Sequence, residues 1–201
     1  MEKIMILNGS PRAPRSNSKR YAAYVAKYSP WPTEYFEIRK NNHAQLRERM
    51  AESSDLVLVF PLYADSLPVG VLNLLKSLEA TPPERRPVIS VVVNCGFLEP
   101  DQNEIAVRIL RFFCRKNGYE FGSVLMAGSG EAILDTPFRV LVARKIRRLM
   151  RSIVRRRYEQ LRVTMPIGKR LFLMASTQYW IQYGKRFGVT RQQMQTPRIE
   201  Q

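Results

Sequence analysis

From residue 3 to about residue 130, short apolar runs alternate with polar stretches of helical period. Residues 3–8, Lys-Ile-Met-Ile-Leu-Asn, run apolar until Gly9-Ser10-Pro11, which reads as a buried strand entering a turn. Residues 55–60 are apolar after Asp55, as in a central parallel strand, and Pro61 ends the run. Residues 87–93 and 119–127 repeat that signal, whereas 34–38 alternates weakly and suits a short edge strand. The intervening stretches predict helices near 18–28, broken by Ser29-Pro30-Trp31-Pro32, and near 44–52. A third opens at Pro68 and carries Val71, Leu72, Leu74, Leu75 and Leu78. A fourth starts from a capping box of Asp101 and Glu104 and stops at Gly118. A long basic helix is predicted over about 137–161, then an apolar aromatic stretch over 171–187 and a polar tail.

Strand and helix alternate five times, which predicts an α/β fold: a doubly wound parallel sheet with helices on both faces. Five strands suit the order 2-1-3-4-5, whose ligand crevice lies where strands 1 and 3 part. The expected division is a core over 1–135 and a C-terminal part over 136–201. The latter holds the basic amphipathic helix and a helical extension packed on the core or on a partner subunit.

In such a sheet the loops after the strands carry the chemistry. The first holds Ser10, Arg12, Arg15, Ser16, Asn17 and Ser18 just ahead of a helix. Unpaired first-turn amides, a positive helix end and hydroxyl donors together form an anion site. The same Ser-Asn-Ser would serve simply as a helix cap. Neither Gly-x-x-x-x-Gly-Lys-Ser/Thr nor Gly-x-Gly-x-x-Gly is present, so a single phosphate monoester, as in FMN, fits better than a pyrophosphate. The next loops offer Pro61, Leu62, Tyr63, Ala64 and Asp65, then Asn94, Cys95, Gly96 and Phe97, then Gly128-Ser129-Gly130, the last being foremost a turn. Tyr63 and Phe97 suit stacking against a flat ring.

Composition narrows the setting. Thirty-three Lys and Arg against 17 Asp and Glu give a formal charge of +16, which attracts nucleotides, nucleic acid or acidic membranes. No nucleic-acid motif accompanies the charge, so no specific nucleic-acid partner is expected. The basic stretch 139–162 also suits weak contact with an anionic membrane. No signal core and no spanning apolar stretch is seen, and the isolated Cys95 and Cys114 read as reduced thiols, so a cytoplasmic protein is expected. The lone His43 reads as a surface residue, and no metal site is expected.

Asn8-Gly9-Ser10-Pro11-Arg12, Ser16-Asn17-Ser18, Pro61-Leu62-Tyr63, Leu67-Pro68 and Leu74-Leu75-Lys76 together resemble the flavodoxin-like NAD(P)H-dependent FMN reductases, over about residues 1–130. The resemblance implies a phosphate held by Ser10, Arg12, Ser16, Asn17 and Ser18. It implies a flavin ring lined by Pro61, Leu62, Tyr63, Ala64 and Asp65 and closed by Asn94, Gly96 and Phe97. It also implies FMN as cofactor, NAD(P)H as co-substrate, a small-molecule or flavin electron acceptor, no catalytic side chain, and a homodimer or homotetramer. A non-catalytic FMN-binding electron carrier or sensor is the alternative, and a receiver-like module without flavin a third reading.

Overall fold

The computed structural model describes residues 2–13 and 15–195; Pro14 of the first loop and 196–201 of the polar tail lie outside the described residues. The chain divides into two compact units, Met1–Met165 and Pro166–Gln201.

The first unit alternates strand and helix. In chain order it contains β1 (Ile4–Asn8), α1 (Asn17–Tyr28), β2 (Thr33–Glu37), α2 (His43–Ala51), β3 (Asp55–Pro61) and α3 (Val69–Ala80). Then come β4 (Val88–Asn94), α4 (Glu104–Asn117), β5 (Phe121–Ala127), α5 (Arg139–Val154) and β6 (Gln160–Val163). The strands form one sheet in the order β2-β1-β3-β4-β5-β6, parallel throughout. This is the anticipated doubly wound arrangement with a sixth strand added.

Alternation along each strand sends side chains to two cores. Met5, Leu7, Leu58, Phe60, Val91 and Val93 pack with Leu46 and Met50 of α2, Leu74 and Leu78 of α3, and Leu110 and Phe113 of α4. The opposite face is covered by α1, through Tyr21, Ala22 and Val25, and α5, through Val142, Ile146, Leu149 and Ile153. Burial of one such aliphatic or aromatic side chain contributes about 1.5–3 kcal/mol, against roughly 0–1 kcal/mol for an exposed ion pair. The two apolar layers therefore hold the unit, not its surface charges.

The basic helix expected to reach Leu161 ends at Val154 instead. Arg156 takes a left-handed φ of 53°. Its guanidinium turns inward to Asp55 Oδ1 at 2.6 Å and to Glu2 Oε2 at 3.0 Å, above the Trp31 ring. The chain then runs back along β5 as β6, with Leu161 and Val163 buried and Gln160 and Arg162 exposed. Four alternating residues in an Arg-rich sequence are too few to announce a strand. On α5 itself, Arg139, Arg144, Arg147, Arg148 and Arg151 are exposed, the solvated basic face of the sequence reading.

Asp101 and Glu104 form no capping box. Residues Pro100–Asn103 make a 3-10 turn that leads straight into α4, and Asp101 accepts instead from Arg162 Nε at 2.5 Å. Gly118 ends α4 with a φ of 70°, a value that favours glycine.

The second unit contains α6 (Lys169–Lys185) and α7 (Arg191–Gln195), with Gly188 at a φ of 72° between them. Among the described residues, no helix is long and apolar enough to cross a membrane.

Candidate functional site: the loops beyond β1, β3, β4 and β5

Asn8, the last residue of β1, is fully buried and organises the first loop. Its Oδ1 accepts from the Ser10 N–H at 2.9 Å. Its Nδ2 donates to the Tyr35 hydroxyl at 2.9 Å and to Ser16 Oγ at 3.4 Å. Ser10 Oγ in turn accepts from the Arg12 N–H at 3.3 Å, and the Ser10 carbonyl from Ala13 N–H at 3.1 Å. Short polar side chains thus replace the ladder that the strand has lost. Gly9 is needed here because a Cβ would lie 2.4 Å from Val71 Cγ2, where α3 crosses the strand end.

Ser16 is the N-cap of α1, extended in backbone, with its Oγ accepting from Lys19 N–H at 3.2 Å. Ser18, buried in the first turn two residues on, accepts from Asn94 Nδ2 at 3.2 Å. In each of these bonds the oxygen of Ser10, Ser16 or Ser18 accepts, so each hydroxyl keeps its proton to donate. Three such hydroxyls surround a helix N-terminus whose first amides have no intrahelical acceptor.

The β3 loop is a tight hairpin. Tyr63 and Ser66 exchange N–H···O bonds at 3.0 Å each, and the two residues between them, Ala64 (φ 45°) and Asp65 (φ 54°), are both left-handed. A two-residue turn with both central φ values positive normally calls for Asn and Gly. Here an Ala and an Asp hold it, at a cost of about 1–2 kcal/mol for the alanine. The turn leaves Tyr63 58 % exposed at the rim.

Asn94 closes the gap between β3 and β4. Besides Ser18 it reaches the Phe60 carbonyl at 3.1 Å, and its own carbonyl accepts from Leu62 N–H at 2.7 Å. Phe97, 51 % exposed, stands on the rim beyond Gly96. Cys95 is buried, its Sγ accepting from Asn103 Nδ2 at 3.3 Å, and burial pushes its thiol pKa up. That makes it a packing residue. Gly130 lies against Asn94, where a Cβ would come within 2.8 Å of Asn94 Cβ, and Ser129 turns with a φ of 52°.

Every site residue named from the sequence lies on one of these loops or at the strand or helix end that borders it, but their roles differ. Ser10, Ser16 and Ser18 converge, and Asn94 meets them through Ser18. Asn17 turns its amide to the Glu131 carbonyl at 3.5 Å and receives Arg20 on its oxygen at 3.1 Å. Arg12 is largely exposed, 3.9 Å from the Glu131 carboxylate.

Three groupings contribute that the sequence did not assign to the site. Asn8 and Tyr35 brace the loop from below. Glu131 comes in over Gly96, its Cδ 3.7 Å from where a Gly96 Cβ would lie. The third is the clasp of Arg20 to Asp135, at 2.6 and 3.0 Å, which holds α1 to the loop after β5 and lowers the Asp135 pKa, mainly through the hydrogen bond. The positions of Asn8 at a strand end and of Glu131 in the loop after β5 were usable signals. Asp135 had none, being more than 110 residues from its partner Arg20.

Two shallow clefts, one beside Arg111, Phe121 and Tyr158 and one beside Glu79, Arg86 and Lys116, open at the opposite, amino-terminal end of the strands. Neither reaches these loops. The anion donors and exposed rings lie on the open carboxyl-end rim, where α/β sheets bind their ligands.

Strand order and loop placement decide the fold. The fold is flavodoxin-like. Solved structures of the same fold include an FMN-dependent NADH-azoreductase from Bacillus anthracis in complex with FMN, at 12% identity over 76% of this chain and 99% of that chain, with a TM-score of 0.60. An NAD(P)H:quinone oxidoreductase from Methanothermobacter marburgensis matches at 14% identity, 75% and 95% coverage and a TM-score of 0.57. A Streptococcus pneumoniae flavodoxin matches at 13% identity, 75% and 99% coverage and a TM-score of 0.54. No family model matches the chain, and no curated protein matches its sequence significantly. At these identities the likeness is one of fold.

Proposed function

We propose that this protein is an FMN-dependent NAD(P)H oxidoreductase. One observation carries the reading: Ser10, Ser16 and Ser18 all use their oxygens as acceptors within the protein, which leaves three O–H donors beside the α1 N-terminus. That donor set fits a dianionic phosphate monoester and gives a neutral ligand no comparable advantage. The neighbouring azoreductase and quinone oxidoreductase are consistent with it.

FMN held there would supply hydride and electron transfer between NAD(P)H and a second acceptor. The chain's own part is to bind and orient. Ser10, Ser16 and Ser18, with the amides of Asn17 and Ser18, would hold the phosphate. Arg12 would add charge from the rim. Pro61 to Asp65 form a wall fixed by the left-handed turn, with Tyr63 on one side of the rim and Phe97 on the other. The loop of Asn94 to Phe97 would present backbone donors to a polar ring edge. No side chain is asked to act as nucleophile or base.

The purified protein should be yellow, or should take up added FMN with quenching of flavin fluorescence. Under anaerobic conditions NADPH or NADH should then bleach the flavin band. A colourless protein that takes up no FMN overturns the proposal. A flavin that stays oxidised with both nucleotides identifies an electron carrier instead.

A further inference from the structure

The second unit carries an aromatic face that its own residues leave open. Gly184 is the buried residue of α6, at the turn toward Met194. Tyr179, Trp180, Tyr183 and Phe187 form a continuous ring ladder, with centroids 5.3 Å apart for Tyr179–Trp180, 5.9 Å for Trp180–Tyr183 and 5.2 Å for Tyr183–Phe187. All four are exposed, Trp180 at 46 % and Phe187 at 69 %. Phe172 and Leu173, seven residues before Tyr179 and Trp180, extend the same face by two turns. A solvated helix gains nothing from such a stripe.

The charges around it are all of one sign. Between residues 166 and 195 stand Lys169, Arg170, Lys185, Arg186 and Arg191, and no Asp or Glu. Lys169 and Arg170 open α6, and Lys185 and Arg186 close it, within the C-terminal end of the ladder between Tyr183 and Phe187.

We propose that α6 is a peripheral docking element for an anionic lipid bilayer. It lies in the plane of the surface with the aromatic face down and its terminal cations on lipid phosphates. Seventeen residues span about 25 Å along the surface. Tyr and Trp suit the headgroup boundary, and Lys and Arg at the helix ends reach headgroups without burying charge. This surface is distinct from the basic face of α5, which carries no ring ladder.

Charge chooses this occupant over a second copy. The same 166–195 segment of a facing copy would bring five more cations and no acid to neutralise them, within a chain of net charge +16. Single-stranded nucleic acid would match the cations and rings but would leave the exposed Leu173, on the same face as the rings, without a partner. Acyl chains use both.

The test is vesicle co-sedimentation of the full chain. Vesicles of phosphatidylcholine alone are compared with vesicles containing about one-third phosphatidylserine, at low salt and near 0.5 M salt. Binding should be on the order of tenfold stronger to the anionic vesicles and should weaken with salt. It should be lost in the variant Tyr179→Ser/Trp180→Ser/Tyr183→Ser/Phe187→Ser. Should that variant fail to fold, Lys185→Glu/Arg186→Glu, which leaves the ladder intact, must still weaken binding. The proposal is overturned by equal binding to both vesicle types, by binding that survives both variants, or by no vesicle binding with a dimer that the aromatic variant dissociates. Tighter capture of single-stranded RNA than of anionic vesicles overturns it equally. FMN uptake is measured in the same samples and is expected to be unchanged, since it reports on the first unit alone.

Discussion

The Asn94 side-chain amide donates to Ser18 Oγ across 76 residues of sequence, at 3.2 Å, while also holding the Phe60 carbonyl. One buried side chain thus ties β4 to β3 and to the first turn of α1. Replacing it by alanine leaves the Phe60 carbonyl without that donor and costs about 1–3 kcal/mol. A denaturant titration of Asn94→Ala should show the loss. FMN affinity should fall with it, because Ser18 loses its orientation.

Ser16 has two separable duties, capping α1 and offering a proton to an anion. Aspartate caps as well as serine but carries charge in place of an O–H donor. Ser16→Asp should melt within roughly 0.5 kcal/mol of the parent and bind FMN at least about tenfold more weakly. Equal FMN affinity in the two proteins, by fluorescence titration, would remove Ser16 from the phosphate site.

Glu131 places a carboxylate beside Arg12 and Gly96, facing the same rim. Neutralising it in Glu131→Gln frees Arg12 and removes a like charge from the approach of a phosphate. The group is exposed, so the gain is modest, roughly two- to fivefold in FMN affinity at low salt and less at high salt. A loss of affinity would mean that Glu131 supports the ligand instead.

Arg156 balances the wholly buried Asp55 at the start of β3. Burial is the largest single influence and works against the guanidinium's charge, but Asp55 and Tyr158 together outweigh it and the pKa is raised. Arg156→Ala strands the carboxylate, and because the arginine is partly solvated the cost is discounted to about 2 kcal/mol. The double variant Arg156→Ala/Asp55→Asn should recover part of that loss in thermal melts.

Cys114 is buried among apolar side chains, and burial alone pushes its thiol up from 9.0 to about 12. The unfolded chain ionises this thiol first. Below about pH 9 it is neutral in both states and its contribution is intact; that contribution is lost as pH rises toward 12. Melting temperature should decline on the alkaline side, less steeply in Cys114→Ala. Native Cys114 and Cys95 should resist iodoacetamide at pH 8 and react after unfolding.

The strands were legible because a central parallel strand is buried on both faces and reads as an unbroken apolar run, as in Leu56 to Phe60. The α1 cap was legible because Ser16 acts on a neighbour three residues away. β6 was not, since Leu161 and Val163 gain their meaning only from pairing with β5. Nor was the capping box at Asp101 and Glu104 secure. Its pattern is local, but Arg162 and Gln160 offered those carboxylates better partners from a distant strand.

The sequence by itself determined the alternation of strand and helix, the parallel sheet and the loop that holds Ser10, Ser16 and Ser18. Each of these depends on periodicity and short-range hydrogen bonding, which operate between near neighbours. Only the tertiary structure decided that Asn94 would hold Ser18, that Glu131 and Asp135 would close over α1, and that Arg156 would turn inward to Asp55. Those contacts join residues brought together by the crossovers of the sheet, and polar pairing at such separations follows from the packed backbone and leaves no period in the chain.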